Sequence, residues 1–188
     1  MKRLVVVAVI VVILAAVLFF TGRYPVASVG GSPIWFRIWQ KAENAVKNSH
    51  NVQASQSLLG EGAINFNDPQ NAELLKEVRR GTLSVLIEDL ILYQDGEKEV
   101  KDLEKLAQNR VNEALKGGNV EQAAQFVYGL TLEDFKELVL LPQARREILR
   151  EEFLNSGKNF DEWLSVTKKS KSVRLFLVPF SWDGEAVR

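Results

Sequence analysis

Apolar residues are distributed along this chain in three ways. Leu4 to Phe20 is apolar without a break. From Ile34 to Lys169 apolar positions recur mostly three and four apart, the period of helices with one buried face. Flanking that stretch, Val26-Ala27-Ser28-Val29 and Val173 to Phe180 are β-rich runs. The pattern predicts a mainly α domain with a small β-sheet, preceded by an apolar segment.

Val26–Val29, then Gly30-Gly31-Ser32, then Pro33-Ile34-Trp35 predicts a short hairpin whose glycine pair takes up the positive φ of a tight turn. Ile34, Ile38, Ala42, Ala45 and Val46 then predict a first helix, made unusually aromatic by Trp35, Phe36 and Trp39. On such a helix Phe36 and Trp39 share one side while Trp35 and Ile38 share another, so at least one large aromatic is left at an edge or groove. Asn48 to Asn67, rich in Asn, Ser, Gln and Gly, predicts a long loop. It stops at Asp68-Pro69, an N-cap followed by proline at the first helical position.

The helix that begins there carries Leu75, Val78, Leu83, Leu86, Ile87, Leu90, Ile91 and Tyr93, which cover more than half its circumference. A helix so apolar is a central one, and Asp95-Gly96 marks its expected end. Gly81 inside it costs about 1 kcal/mol against alanine, which implies compensation by close packing. Asp102 to Lys116 predicts an amphipathic helix stopped by Gly117-Gly118-Asn119, and Val120 to Tyr128 a short one broken by Gly129. Thr131-Leu132-Glu133-Asp134 is a capping box opening a helix through Phe153, in which Pro142 predicts a kink or short break. Asn159 caps a last helix through Lys169. A lone strand is unstable, so Val173 to Phe180 is expected to join the hairpin. Both ends of the domain then meet in one sheet, with five or six helices between.

The apolar run sets the compartment. Lys2-Arg3 before it keeps the N-terminus in the cytoplasm, and seventeen residues give a helix of roughly 26 Å, near the lower limit for a bilayer. The run ends Val17-Leu18-Phe19-Phe20, bulky residues that fit a signal-peptide cleavage site badly, and Pro25-Val26-Ala27 places proline where a small residue is wanted. The reading is an uncleaved single-pass signal anchor, residues 1–23, in the cytoplasmic membrane, with residues 24–188 as an extracytoplasmic domain. If the ends meet in a sheet, the stalk is only Thr21 to Tyr24.

Composition then removes function classes. With Lys2 and Arg3 inside, 22 of the 24 basic residues and all 24 acidic ones fall on the outer side, a balance that offers no footprint for nucleic acid. Without cysteine there is no thiol nucleophile, thiolate metal site or disulfide, and one histidine excludes any site needing two imidazoles. No cofactor is expected. His50 reads as a solvated loop residue, and Glu88-Asp89 and Glu151-Glu152 as solvated helix faces. Asn65, Asn67 and Asp68 lack the glycine and terminal glutamate of a calcium loop. Lys168, Lys169, Lys171 and Arg174 form a basic cluster read as a solvated helix end, with anionic lipid or an acidic partner as the alternative. The candidate wall for apolar segments of another chain is Trp35, Phe36, Trp39, Phe126, Tyr128 and Phe135, aromatics giving large contact area at small entropic cost. Core packing is the competing role for most of them.

The order of elements resembles the N-terminal chaperone domain of the SurA, PpiD and PrsA group. Val26 to Ile34 looks like its opening strand, small turn and helix start. Leu83 to Gln94 resembles its central helix, Gly129 to Lys136 the entry to its last long helix, and Phe160 to Leu164 with the following basic stretch and strand its closing segment. The resemblance implies a SurA N-terminal-like bundle that binds unfolded or newly exported polypeptides near the secretion machinery. Catalytic members carry a parvulin module between the last long helix and the closing segment. Here that position holds only Asn155 to Asn159, so prolyl-isomerase activity is not expected. The alternative function is a membrane-tethered assembly subunit with one fixed protein partner.

Overall fold

Strand β1 (Pro25–Val29) is the centre of a three-stranded antiparallel sheet, with β2 (Ser32–Trp35) on one side and β3 (Val173–Leu175) on the other. The computed structural model describes residues 21–56 and 62–188. The expected anchor, Leu4–Phe20, lies outside the described residues. Among those described, no helix is long and apolar enough to cross a membrane. Val29 pairs with Ser32 across the Gly30-Gly31 turn (φ 56° and 91°) and with Val173 on the other edge. The two ends of the domain therefore meet as the sequence predicts.

Three sheet details differ from expectation. Pro33-Ile34-Trp35 forms the second hairpin strand as expected, and helix α1 (Phe36–Gln56) starts after it, so Ile34 and Trp35 are not also part of the aromatic helix. Strand β3 covers three residues, not the run to Phe180, because Leu177 takes a left-handed φ of 54°. The chain then folds back, and a bridge between Trp182 and Val187 brings Val187 (1% exposed) onto the central helix, where its N–H donates to Ser84 Oγ at 2.8 Å. Nothing in the local pattern predicts that closure.

The expected loop from Asn48 is also corrected: α1 runs on through Gln56. Asn48 Nδ2 donates to the Tyr128 carbonyl at 3.2 Å, and Asn51 Oδ1 accepts the Ile64 N–H at 2.7 Å. These partners lie far along the chain and hold a polar helix that has little apolar stripe of its own. Asp68 does cap the next element: its carboxylate accepts Gln70 N–H at 2.9 Å over a 3-10 turn, Pro69–Asn71, that leads into α2 (Ala72–Glu99).

Helix α2 is central, with Leu83, Ile87 and Ile91 fully buried and Leu92 1% exposed. It does not end at Asp95-Gly96. Both are buried, and a side chain at Gly96 would start 2.4 Å from Leu103 Cδ2 and 3.1 Å from Leu149 Cδ1. Its glycine is the condition for α3 (Leu103–Leu115) and the helix that carries Leu149 to close on α2. Asp95 is held by Lys98 at 2.5 Å and Lys171 at 2.6 Å. Burial alone would raise its pKa, but those two ammonium groups outweigh burial and keep the carboxyl below its usual range. A depressed folded pKa gives stability that is present above the unfolded value of about 4 and lost as pH falls through the folded one. Asp95→Asn is therefore expected to flatten the acid limb of a plot of urea midpoint against pH, measured from neutral pH downward.

Helix α4 spans 120–128 and α5 spans 132–155; each contains one π-helical turn, Ala124–Tyr128 and Lys136–Leu140. Thr131 caps α5 as predicted, its hydroxyl accepting Asp134 N–H at 3.2 Å. Asp134 Oδ1 itself receives Lys41 Nζ at 2.6 Å, tying α5 to α1. Pro142 causes no break: the π turn immediately before it widens the ladder and the α-helix resumes at Leu141. Helix α6 (Phe160–Ser170), capped by Asn159, completes the six helices of the described residues.

Of the acidic pairs read as solvated, Glu151-Glu152 is exposed as expected, whereas Glu88-Asp89 is corrected. Glu88 is paired with Arg146 and Lys168, and Asp89 with Arg145 at 2.8 Å. Three of the four residues of the basic cluster pair internally, Lys168 on Glu88, Lys169 on Glu185 at 2.8 Å and Lys171 on Asp95, while Arg174 is exposed as expected. Three apolar clusters result: one under β1, β2 and mid-α2; one among α2, α3, α5 and α6; and a small one of Ala45, Ala124, Leu130 and Phe135.

Candidate functional site

Between α1, the first half of α2, and the α4–α5 corner the small third cluster leaves an open groove. Its volume is about 460 Å³. Ala42, Ala45 and Val46 of α1 form one wall and Leu74, Val78 and Val85 of α2 the other. Tyr128, Leu138 and Val139 close the side. Those three residues sit on the two π turns, where the extra residue in the ladder re-aims side chains.

Gly81 lies in this groove, and a Cβ built there meets nothing within 4 Å. The expectation that close packing compensates its helix cost is thus overturned. Among the described residues no side chain packs on it, and the missing side chain leaves room. Val85, 59% exposed, stands at the lip.

Two of the groove's polar side chains are engaged within the fold. Thr82 Oγ1 donates to the Val78 carbonyl at 2.7 Å. The Glu77 carboxylate takes Arg80 at 2.6 Å, a hydrogen bond that holds its carboxyl below the usual range. His50, expected as a solvated loop residue, is half-buried on α1 at one end of the groove. Among the described residues no group of three or more His, Cys, Asp or Glu is placed to hold a metal. The lining is otherwise mainly alanine, valine and leucine, so the surface it offers is largely apolar.

The six aromatics read from the sequence do not form one wall. Phe36 and Trp39 pack near the sheet, Phe36 stacking on Tyr24 at 4.9 Å and meeting Trp39 edge-on at 5.9 Å. Trp39 is buried, and its Nε1 donates to the Arg79 carbonyl at 3.1 Å. Trp35 is 43% exposed at the edge of the sheet, on a different face from those two. Phe135 is buried against Tyr128, ring centroids 5.1 Å apart, and Phe126 lies 71% exposed beside the far end of α1. Of the six, Tyr128 lines the groove. The residues missed are small or aliphatic: Ala42, Ala45, Gly81, Val85, Leu138 and Val139. The signal for them was the pair of alanines three apart on α1 opposite an unexplained helical glycine.

No protein-family model, curated protein or solved structure matches this chain in comparison.

Proposed function

We propose that the chain is a membrane-anchored, extracytoplasmic chaperone-like protein that holds apolar segments of unfolded or newly exported polypeptides without catalysis. The observation that carries this reading is the open apolar groove with Gly81 in it. A helix accepts an interior glycine at about 1 kcal/mol, and here the space it creates is not used by the described residues. The order of strands, central helix, capped long helix and closing strand that resembles a SurA N-terminal-like domain supports the same reading. So does the junction Asn155 to Asn159, which has no room for a parvulin module.

Each large apolar side chain seated in the groove contributes about 1.5–3 kcal/mol from burial. One or two such anchors give weak, sequence-tolerant binding once the ordering of the bound segment is subtracted. An anchor at Leu4–Phe20 makes weak binding sufficient, because it concentrates the groove where polypeptides leave the secretion machinery. The test uses purified residues 21–188, which keep the backbone hydrogen bonds of the stalk. At modest molar excess this domain is expected to slow the aggregation of several unrelated unfolded proteins. Protection of none of them, with capture of one native partner from a membrane extract, would replace this reading with a fixed assembly subunit.

A further inference from the structure

Phe20, the last residue of the apolar run, is two residues from a point fixed to the domain. The Gly22 carbonyl accepts Arg37 N–H at 3.2 Å and the Tyr24 carbonyl accepts Phe36 N–H at 2.9 Å, while the Tyr24 ring stacks on Phe36. Residues 22–24 are thus fastened to the first turn of α1, and two residues of chain reach at most about 7 Å. Whatever Phe20 is embedded in lies within that distance of the domain surface around Gly22.

That surface is chemically distinct. Trp35 (43% exposed) and Ile38 (37% exposed) form a shallow apolar depression with Gly22, and the exposed Arg23 and Arg37 stand beside it. Neither arginine is within ion-pair distance of a carboxylate among the described residues, although the Arg37 charge reaches Asp134 and helps hold its carboxyl below the usual range. A large aromatic, an aliphatic side chain and two guanidinium groups suit the headgroup layer of a bilayer. Tryptophan partitions to that depth, and arginine keeps its apolar stem inside while the charge meets lipid phosphate.

We infer that Arg23, Trp35, Arg37 and Ile38 form a foot that seats the domain on the membrane surface, so that it stands on the bilayer at the sheet end of α1. This rests on the anchored reading of Leu4–Phe20. The groove then begins at Ala42, about 6 Å farther along α1 than Ile38, and reaches His50 at about 18 Å. Its mouth is held in water just above the headgroups, facing chains as they emerge.

The chain has no cysteine, so single spin labels can be placed by substitution. Full-length Val12→Cys, Ile38→Cys and Phe126→Cys proteins are reconstituted in phosphatidylcholine bilayers containing phosphatidylglycerol. Collision rates are then compared for oxygen and for a water-soluble nickel chelate. The label at 12 should favour oxygen strongly, the label at 38 should show several-fold protection from nickel relative to 126, and 126 should report open water. Equal nickel access at 38 and 126, with 12 in lipid, overturns the foot and leaves the anchor standing. Lipid-like exposure at 126 overturns the upright seating. Nickel access at 12 overturns the anchor and the foot together. In the wild-type protein, quenching of tryptophan emission by brominated lipid should fall by more than half in Trp35→Phe, which separates contact of that ring from a mere effect of labelling.

Discussion

Replacing Arg145 with methionine should lower the free energy of unfolding by about 3 kcal/mol, a large share of the stability of a domain this size. Arg145 is 7% exposed, and it joins three helices: Nη1 to Asp89 of α2 and Nε to Glu104 of α3, both at 2.8 Å, from its own place on α5. Its guanidinium also lies 5.2 Å from the centre of the Tyr93 ring. Burial raises the Asp89 pKa even in the intact protein, with Arg145 pulling the other way. Without the arginine, two carboxylates face one another in a half-buried space. The range for breaking a buried pair is about 3–5 kcal/mol, and the lower end applies because Asp89 and Glu104 keep some contact with water. Methionine keeps most of the apolar stem, so the loss reports charge rather than volume.

The pH dependence of that variant identifies the cause. A carboxyl whose folded pKa exceeds its unfolded value binds protons on folding, so stability rises as pH falls through the interval between the two. Arg145→Met should therefore recover part of its deficit between neutral pH and about pH 4, where the wild type gains nothing comparable. Adding Asp89→Asn and Glu104→Gln should restore most of the loss at neutral pH. Equilibrium urea unfolding measures all three; a deficit that is independent of pH and of the second-site changes would assign the role of Arg145 to packing alone.

Gly81→Phe should abolish most client protection while leaving the fold intact or more stable. The side chain enters space in which none of the described residues lies within 4 Å of its Cβ, and it gains cover from the apolar walls. Relief of the glycine penalty adds about 0.5 kcal/mol, less than alanine would give because the ring loses rotamer freedom in a helix, and burial of the ring adds to it. The same ring occupies the volume a client would need, so affinity should fall at least about tenfold, or 1.4 kcal/mol. Gly81→Ala separates the effects: it recovers the helix term and keeps the groove open, so it should be stabilised and still protective. Thermal unfolding and aggregation assays on the same samples check both. Full protection by the phenylalanine variant would place client binding elsewhere.

Legibility from the sequence followed the range of the interaction. Asp68, Thr131 and Asn159 were readable as caps because each bonds a backbone N–H two or three residues away. The stripe through Leu83, Ile87 and Ile91 was readable because period reports burial directly. The helix from Asn48 to Gln56 was not, since its support comes from Tyr128 and Ile64. Glu88 and Asp89 looked solvated because adjacent acids on a helix carry no mark of arginines that arrive from α5. The groove was hardest to see. A binding surface made of alanine, valine and a missing side chain is written in the same letters as a core, whereas aromatics attract notice even where they only pack.

The pairing of β1 with β3 bears on the order of folding. Ala27 meets Leu175 and Val29 meets Val173, contacts that join the start of the domain to a strand made almost 150 residues later. A chain that emerges N-terminus first displays β1 with one edge bare until residues 173–175 have followed it. Closing so long a loop is slow, and an open strand edge is a site for wrong pairing meanwhile. During its own synthesis, then, this protein passes through the kind of state it is proposed to guard in others.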